Sequence, residues 1–158
     1  MRASDIMTRE IHVCRPSDTL DTPARIMWDC DCGAVPVVNE EDHIVGIITD
    51  RDICMAAWSQ GKPLAEIPVT SVMSREVRVC HPDAPVNRVE EIMRSNRVRR
   101  VPITDTDGKV IGIVSLNDLA LEFANEKPRG RSTHAEELVD TLAAICAHPG
   151  QNVSTRPS

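Results

Sequence analysis

Apolar and polar positions along the chain fall into short runs whose period changes in the same order twice. Each half begins with an extended segment, over residues 11–14 and 77–80, stopped by Pro16 or Pro82. A helical spacing follows: Leu20, Ala24, Ile26 and Met27 in the first half, and Val86, Val89, Ile92 and Met93 in the second. Pro23 suits the first of these helices as its first residue, with Thr22 as N-cap, and Gly33 marks its end. Pro85 stands near the start of the other. Two apolar runs then flank a polar turn. Residues 35–38 and 44–48 enclose Glu40-Glu41-Asp42, and residues 101–104 and 110–114 enclose Asp105-Thr106-Asp107-Gly108. A second helix closes each half, over residues 50–58 and 116–125. The predicted order is β-α-β-β-α, twice, in a mixed α+β fold.

The two halves are copies. An offset of 66 residues aligns residues 5–53 with their counterparts without a gap and gives 13 identities over 49 positions. Among them are Met7 on Met73, Cys14 on Cys80, Val35-Pro36 on Val101-Pro102, Gly46-Ile47 on Gly112-Ile113 and Asp52 on Asp118. A unit of roughly 50 residues buries little core alone, so the copies are expected to pack together around a pseudo-twofold axis. The expected divisions are a first repeat with its connector over 1–66, a second repeat over 67–126, and a linker, short helix and tail over 127–158. The short helix is expected over 135–147, where Leu138, Val139, Leu142 and Ile145 share one face.

Composition narrows the function. The 158 residues carry 24 acids and 18 bases, a formal charge of −6, which disfavours general nucleic-acid binding. Two Trp, one Phe and no Tyr leave little for stacking on bases. No apolar run approaches membrane-spanning length, and the start of the chain lacks a signal-peptide core, so a cytoplasmic protein is expected. Six cysteines form no C-x-x-C pair, although Cys30 and Cys32 are two apart. The five histidines show no zinc-hydrolase spacing, and neither a nucleophile elbow nor a P-loop lysine is present.

The informative motif ends each second strand: Gly46-Ile47-Ile48-Thr49-Asp50-Arg51-Asp52 and Gly112-Ile113-Val114-Ser115-Leu116-Asn117-Asp118. Two readings fit it. In one, Thr49 and Ser115 cap helices, and Asp52 and Asp118 complete a capping box. In the other, the hydroxyl and the positive end of the helix face a phosphate, and the carboxylate accepts bonds from ribose hydroxyls.

Together the repeat, the element order, the Met7-Thr8 and Met73-Ser74 openings, the Val-Pro strand starts and the paired Gly-x-x-Thr/Ser-x-x-Asp segments closely resemble a tandem CBS-domain pair, the family named after cystathionine β-synthase. The resemblance covers residues 3–123 and extends to stand-alone bacterial proteins built of one such pair. It implies a regulatory binding module rather than an enzyme. It implies two clefts that take adenosyl compounds: AMP, ADP or ATP first, with S-adenosylmethionine and NAD in the same class.

Carried over by position, Thr49 and Ser115 match the phosphate-facing hydroxyls, and Asp52 and Asp118 the ribose-binding acids. Gly33, Ala34, Val35 and Pro36 match the segment that holds adenine, and Thr8 and Ser74 the openings that line the clefts. In the second copy that segment reads Arg99-Arg100-Val101-Pro102, so the two clefts are expected to differ. Arg94, Arg97, Arg99 and Arg100 form either a solvated face or a polyphosphate site. In the latter, Arg97, Arg99 or Arg100 reaches across the pseudo-dyad and Arg51 does the same from the other copy. The resemblance further implies a homodimer of two pairs and an unknown effector protein, with no nucleic acid or membrane as partner. The alternative function is metal or redox sensing on the same scaffold through the cysteines, with Cys14 and Cys80 expected near the dyad.

Overall fold

The computed structural model describes residues 1–126, with Val139 and Leu142 as two further helical positions. The rest of the helix expected over 135–147 lies outside the described residues. The elements are α1 (Ala3–Ile6), α2 (Asp21–Asp29), β1 (Ala34–Val38), β2 (Ile44–Thr49), α3 (Asp50–Gln60), α4 (Val86–Asn96), β3 (Arg100–Thr104), β4 (Val110–Ser115) and α5 (Leu116–Glu126), with two 3-10 turns at Leu64–Glu66 and Val69–Ser71. Both predicted hairpins and all four long helices are present.

The hairpins share one register. Val35 pairs with Ile48 and Val37 with Gly46 in β1–β2; Val101 pairs with Val114 and Ile103 with Gly112 in β3–β4. Each hairpin carries one bulge at the equivalent place, after Val37 and after Ile103.

The opening segments are exchanged between the repeats. Ala3 and Met7 are buried in a core with Cys80, Val89, Ile92, Val101, Ile103 and Val114 of the second repeat. Ile67, Val69 and Met73 are buried in the core of the first repeat, with Cys14, Leu20, Val35, Val37 and Ile48. Backbone bonds fix the exchange. Thr8 N–H donates to Ile113 O at 2.9 Å and Ile113 N–H to Thr8 O at 3.0 Å; Ser74 and Ile47 do the same at 2.9 and 3.0 Å.

This crossing explains why the strands expected over 11–14 and 77–80 shrink to single bridges. Thr8 is tied to β4 and Cys14 to β1, so the residues between them span from one repeat to the other. Only Cys14 and Cys80 enter a core, each bridging in parallel to its own hairpin at Val37 or Ile103. The two cysteines therefore sit in separate cores rather than together at the dyad.

Glycine at 46 and 112 follows from the same crossing. A Cβ at Gly112 would stand 2.5 Å from Met7 Sδ, and one at Gly46 2.6 Å from Met73 Sδ. The Met of each opening and the Gly of each motif are two halves of one contact.

The ends of α2 differ from expectation. The helix begins at Asp21, which places Pro23 in its first turn, where a missing N–H removes no helical bond. It ends through Asp31, at φ 48°, with Cys32 N–H donating to Met27 O at 3.1 Å. The pseudo-equivalent Arg97, at φ 54°, ends α4 the same way, with Val98 N–H on Met93 O at 3.1 Å. Gly33 is thus not the stop of α2.

Candidate functional site

A cavity of about 240 Å³ opens where three segments converge. Thr8, Glu10 and His12 come from the crossing segment. Cys30 to Ala34 and Pro36 come from the loop after α2 and from β1, and Ile113, Ser115, Asn117, Asp118 and Leu121 from β4 and α5. Arg100, the first residue of β3, completes the lining. The cavity therefore has one wall from each repeat. Thr8, tethered to β4 by its backbone, lies on the first repeat's connection to the second.

Ser115 and Asp118 form a reciprocal cap at the start of α5. Asp118 Oδ2 accepts from Ser115 N–H at 2.7 Å and from Ser115 Oγ at 2.6 Å, while Asp118 N–H donates to Ser115 Oγ at 3.2 Å. Thr49 and Asp52 repeat the arrangement on α3, at 2.9, 2.8 and 3.2 Å. Capping takes a single oxygen of each carboxylate. In Asp118, which lines the cavity, Oδ1 carries none of these bonds.

Of the residues expected at ligand sites, the structure gathers Thr8, Gly33, Ala34, Pro36, Arg100, Ser115 and Asp118 around this cavity. It does not bring the others there. The side chains of Val35 and Val101 are fully buried in the two cores, so the adenine-holding role expected of them cannot include their side chains. Thr49 and Asp52 cap α3, Ser74 pairs with Ile47, and the buried Pro102 accepts the Cys80 N–H at 3.0 Å. Arg51, Arg97 and Arg99 are exposed, and Arg100 is half-buried.

Sequence reasoning missed Glu10, His12, Asp31, Asn117 and the pair Cys30 and Cys32 as lining residues. Asn117 had a signal, since it fills a variable position of the Gly-x-x-Ser-x-x-Asp motif. The others depend on the crossing of residues 9–13, which no local pattern records.

Cys14 and Cys80 are buried and Cys32 is half-buried, whereas Cys30 and Cys54 are exposed. Burial, with help from Asp18, pushes the Cys14 thiol up to about 12. Burial also raises Cys32 and Cys80. Among the described residues no three His, Cys, Asp or Glu side chains are grouped to hold a metal ion.

Residues 3–59 and 69–125 each match the family described as "CBS domain". The chain belongs to the CBS-domain family. It carries two CBS domains and has the fold of a CBS pair. The protein MK0525 of Methanopyrus kandleri is 36% identical over 115 residues, 73% of this chain and 59% of its own length. The CBS domain-containing protein YhcV of Bacillus subtilis is 35% identical over 123 residues, 77% of this chain and 86% of its own. Inosine-5′-monophosphate dehydrogenase of Methanocaldococcus jannaschii is 31% identical over 167 residues; the match takes in 93% of this chain but 32% of that enzyme, in which the pair is only a part. Among solved structures, the CBS domain pair of protein MJ0100 superposes with a TM-score of 0.71 at 29% identity, over 80% of this chain and 98% of that one. It holds 5′-methylthioadenosine and S-adenosyl-L-methionine. A CBS pair is a regulatory ligand-binding module.

Proposed function

We propose that the cavity binds an adenine nucleotide (AMP, ADP or ATP) and that this chain is a cytoplasmic sensor of metabolic state acting on a separate effector protein. One observation carries the reading. The adenine segment of the first repeat and the Ser115–Asp118 cap of the second face the same space, although 79 positions separate Pro36 from Ser115 in sequence.

In this reading adenine lies along Ala34 and Pro36, with the backbone at Gly33 close enough to read its edge. The ribose hydroxyls donate to Asp118 Oδ1. The phosphate lies toward Thr8, Ser115 and the positive end of α5. A ligand held this way touches both repeats, so its binding free energy depends on the angle between them. Ligand shifts that angle only as far as it prefers one arrangement. The adenosyl ligands of the MJ0100 pair support the class of compound.

Exposed Trp28, Met55 and Trp58 on α2 and α3 support a homodimer through these helices. The chain has only three aromatic residues, and Trp28, Trp58 and Phe123 are all exposed.

The test is a thermal-shift panel with AMP, ADP, ATP, NAD, S-adenosylmethionine and a guanine nucleotide. A ligand at 100 times its Kd adds about 2.7 kcal/mol to the folded state. For a chain of this size that raises Tm by roughly 5–10 °C. The expected result is a rise with an adenine nucleotide and none with the guanine control. No rise with any adenosyl compound overturns the reading.

A further inference from the structure

We propose that Cys30 and Cys32 form a reversible thiol–disulfide pair at the rim of the cavity, closed by a small-molecule disulfide and reopened by a thiol. The proposal goes beyond nucleotide binding and does not depend on it. The two residues flank Asp31, whose φ of 48° ends α2, and both line the cavity. Cys30 is exposed and Cys32 is half-buried.

An extended tripeptide holds its outer Cα atoms roughly 6.6–7.2 Å apart, at the limit beyond which a disulfide cannot close. A left-handed residue between them is the mirror of a helical one. Helical rise and radius bring such an outer pair to about 5.4 Å, within the usual span of a disulfide. The turn at Asp31 therefore supplies an approach that the C-x-C spacing alone does not.

The turn itself does not require thiols. Its equivalent after α4 has Asn96 and Val98 at these positions, on either side of Arg97 at φ 54°. There the Asn96 side chain donates to Ile92 O at 2.8 Å. Val98 N–H closes on Met93 O at 3.1 Å, as Cys32 N–H does on Met27 O. The same stop is built twice, and only the first repeat places sulfur on both sides of it.

Access divides the two roles. Exposed Cys30 meets the oxidant first, and Cys32 resolves. Burial raises the Cys32 thiol, whereas the Ala34 N–H and the Arg100 guanidinium favour its thiolate, and Cys30 acts on it as a charged neighbour. With oxidised glutathione as oxidant, the Cys30 thiolate attacks one sulfur of the glutathione disulfide. A Cys30–glutathione bond forms, the glutathione S–S bond breaks and one glutathione thiolate leaves. The Cys32 thiolate then attacks the Cys30 sulfur, closing Cys30–Cys32 and expelling the second glutathione thiolate. The chain gives up two electrons and two thiol protons, and the two glutathione molecules take them. A ring with one residue between its cysteines is strained, and strained or exposed disulfides are the labile ones. Excess reduced glutathione therefore reopens it.

The test is oxidation of the full chain by oxidised glutathione, then acid quenching, alkylation of free thiols and mass analysis of tryptic peptides. The peptide over residues 26–51 holds Cys30 and Cys32 and no other cysteine. It should lose its two thiol hydrogens and regain them with excess reduced glutathione. Cys54, exposed and in another peptide, reports whether the oxidant reaches the surface. Cys32→Ser should retain glutathione on Cys30, since nothing resolves it. Cys30→Ser should slow reaction of the peptide by about tenfold or more, because the remaining thiol is less exposed and less ionised. Melting curves of both variants check the fold. A native peptide that stays reduced while Cys54 takes up glutathione overturns the proposal. So does glutathione that persists on Cys30 in the native chain. AMP, once calorimetry shows it bound, should slow closure, because a nucleotide against Gly33 and Ala34 covers both thiols. An unchanged rate overturns that placement of the nucleotide and leaves the disulfide standing.

Discussion

Asp118 and Asp52 occupy equivalent positions and make the same cap, yet only Asp118 lines the cavity. Their substitutions therefore separate the two readings that the motif leaves open in the sequence. Asp118→Ala and Asp52→Ala should each cost about 1 kcal/mol of stability through the lost cap. Asp118→Ala should also abolish nucleotide binding, and Asp52→Ala should leave it within a few fold. Paired melting and titration experiments check this, and equal loss of binding in both variants would place the ligand elsewhere. Cys14 supports a second prediction at this scale. Its thiol is pushed up from the ordinary 9.0 to about 12 because burial disfavours the thiolate. The unfolded chain thus releases this proton first, and stability present below pH 9 is lost as pH rises toward 12. The contribution amounts to about 1.4 kcal/mol by pH 10. Denaturant melts at pH 7 and pH 10 should show that loss in the native chain and a smaller one in Cys14→Ala. An identical pH dependence in both would refute the assignment.

The periodic elements were legible because each buries one face: α4 spaces Val89, Ile92 and Met93 at helical intervals, and all three are buried. The hairpins were legible for the same reason, with polar turns between apolar runs. What could not be read is whatever depends on the other repeat. The segment at residues 11–14 has an alternating pattern, but the backbone is tied to β4 at Thr8 and to β1 at Cys14, so the residues between them cross instead of pairing. Likewise Gly33 reads locally as a helix stop, whereas its lack of a side chain makes room for Arg100 from β3. The true stops of α2 and α4 are Asp31 and Arg97, and of these only aspartate is a residue that visits the left-handed region with any frequency. Arg97→Gly should therefore stabilise the chain by about 0.5–1 kcal/mol, since glycine adopts that conformation without a Cβ clash. A Tm unchanged or lowered in this variant would show that Arg97 contributes something beyond its backbone, with nucleotide affinity as the check.

At the scale of the whole molecule, the exchange of opening segments makes the two repeats one folding unit. A division at residue 66 leaves the first repeat without Ile67, Val69 and Met73, three buried members of its core. The same division leaves the second repeat without Ala3 and Met7. Losing a buried aliphatic or Met side chain costs roughly 2–5 kcal/mol, while a domain's whole stability is about 5–15 kcal/mol. Each fragment also lacks the bridge that pairs Thr8 with Ile113 or Ser74 with Ile47. Fragments 1–66 and 67–126, expressed separately, should therefore give no cooperative melt, and mixing them should restore one. The cavity is lined from both fragments, so nucleotide binding should return only in the mixture. Circular dichroism melts of each fragment and of the equimolar mixture, followed by titration with AMP, read both effects. A fragment that melts cooperatively alone would show the repeats to be separate domains. The ligand would then act by drawing two independent bodies together rather than by changing the angle within one.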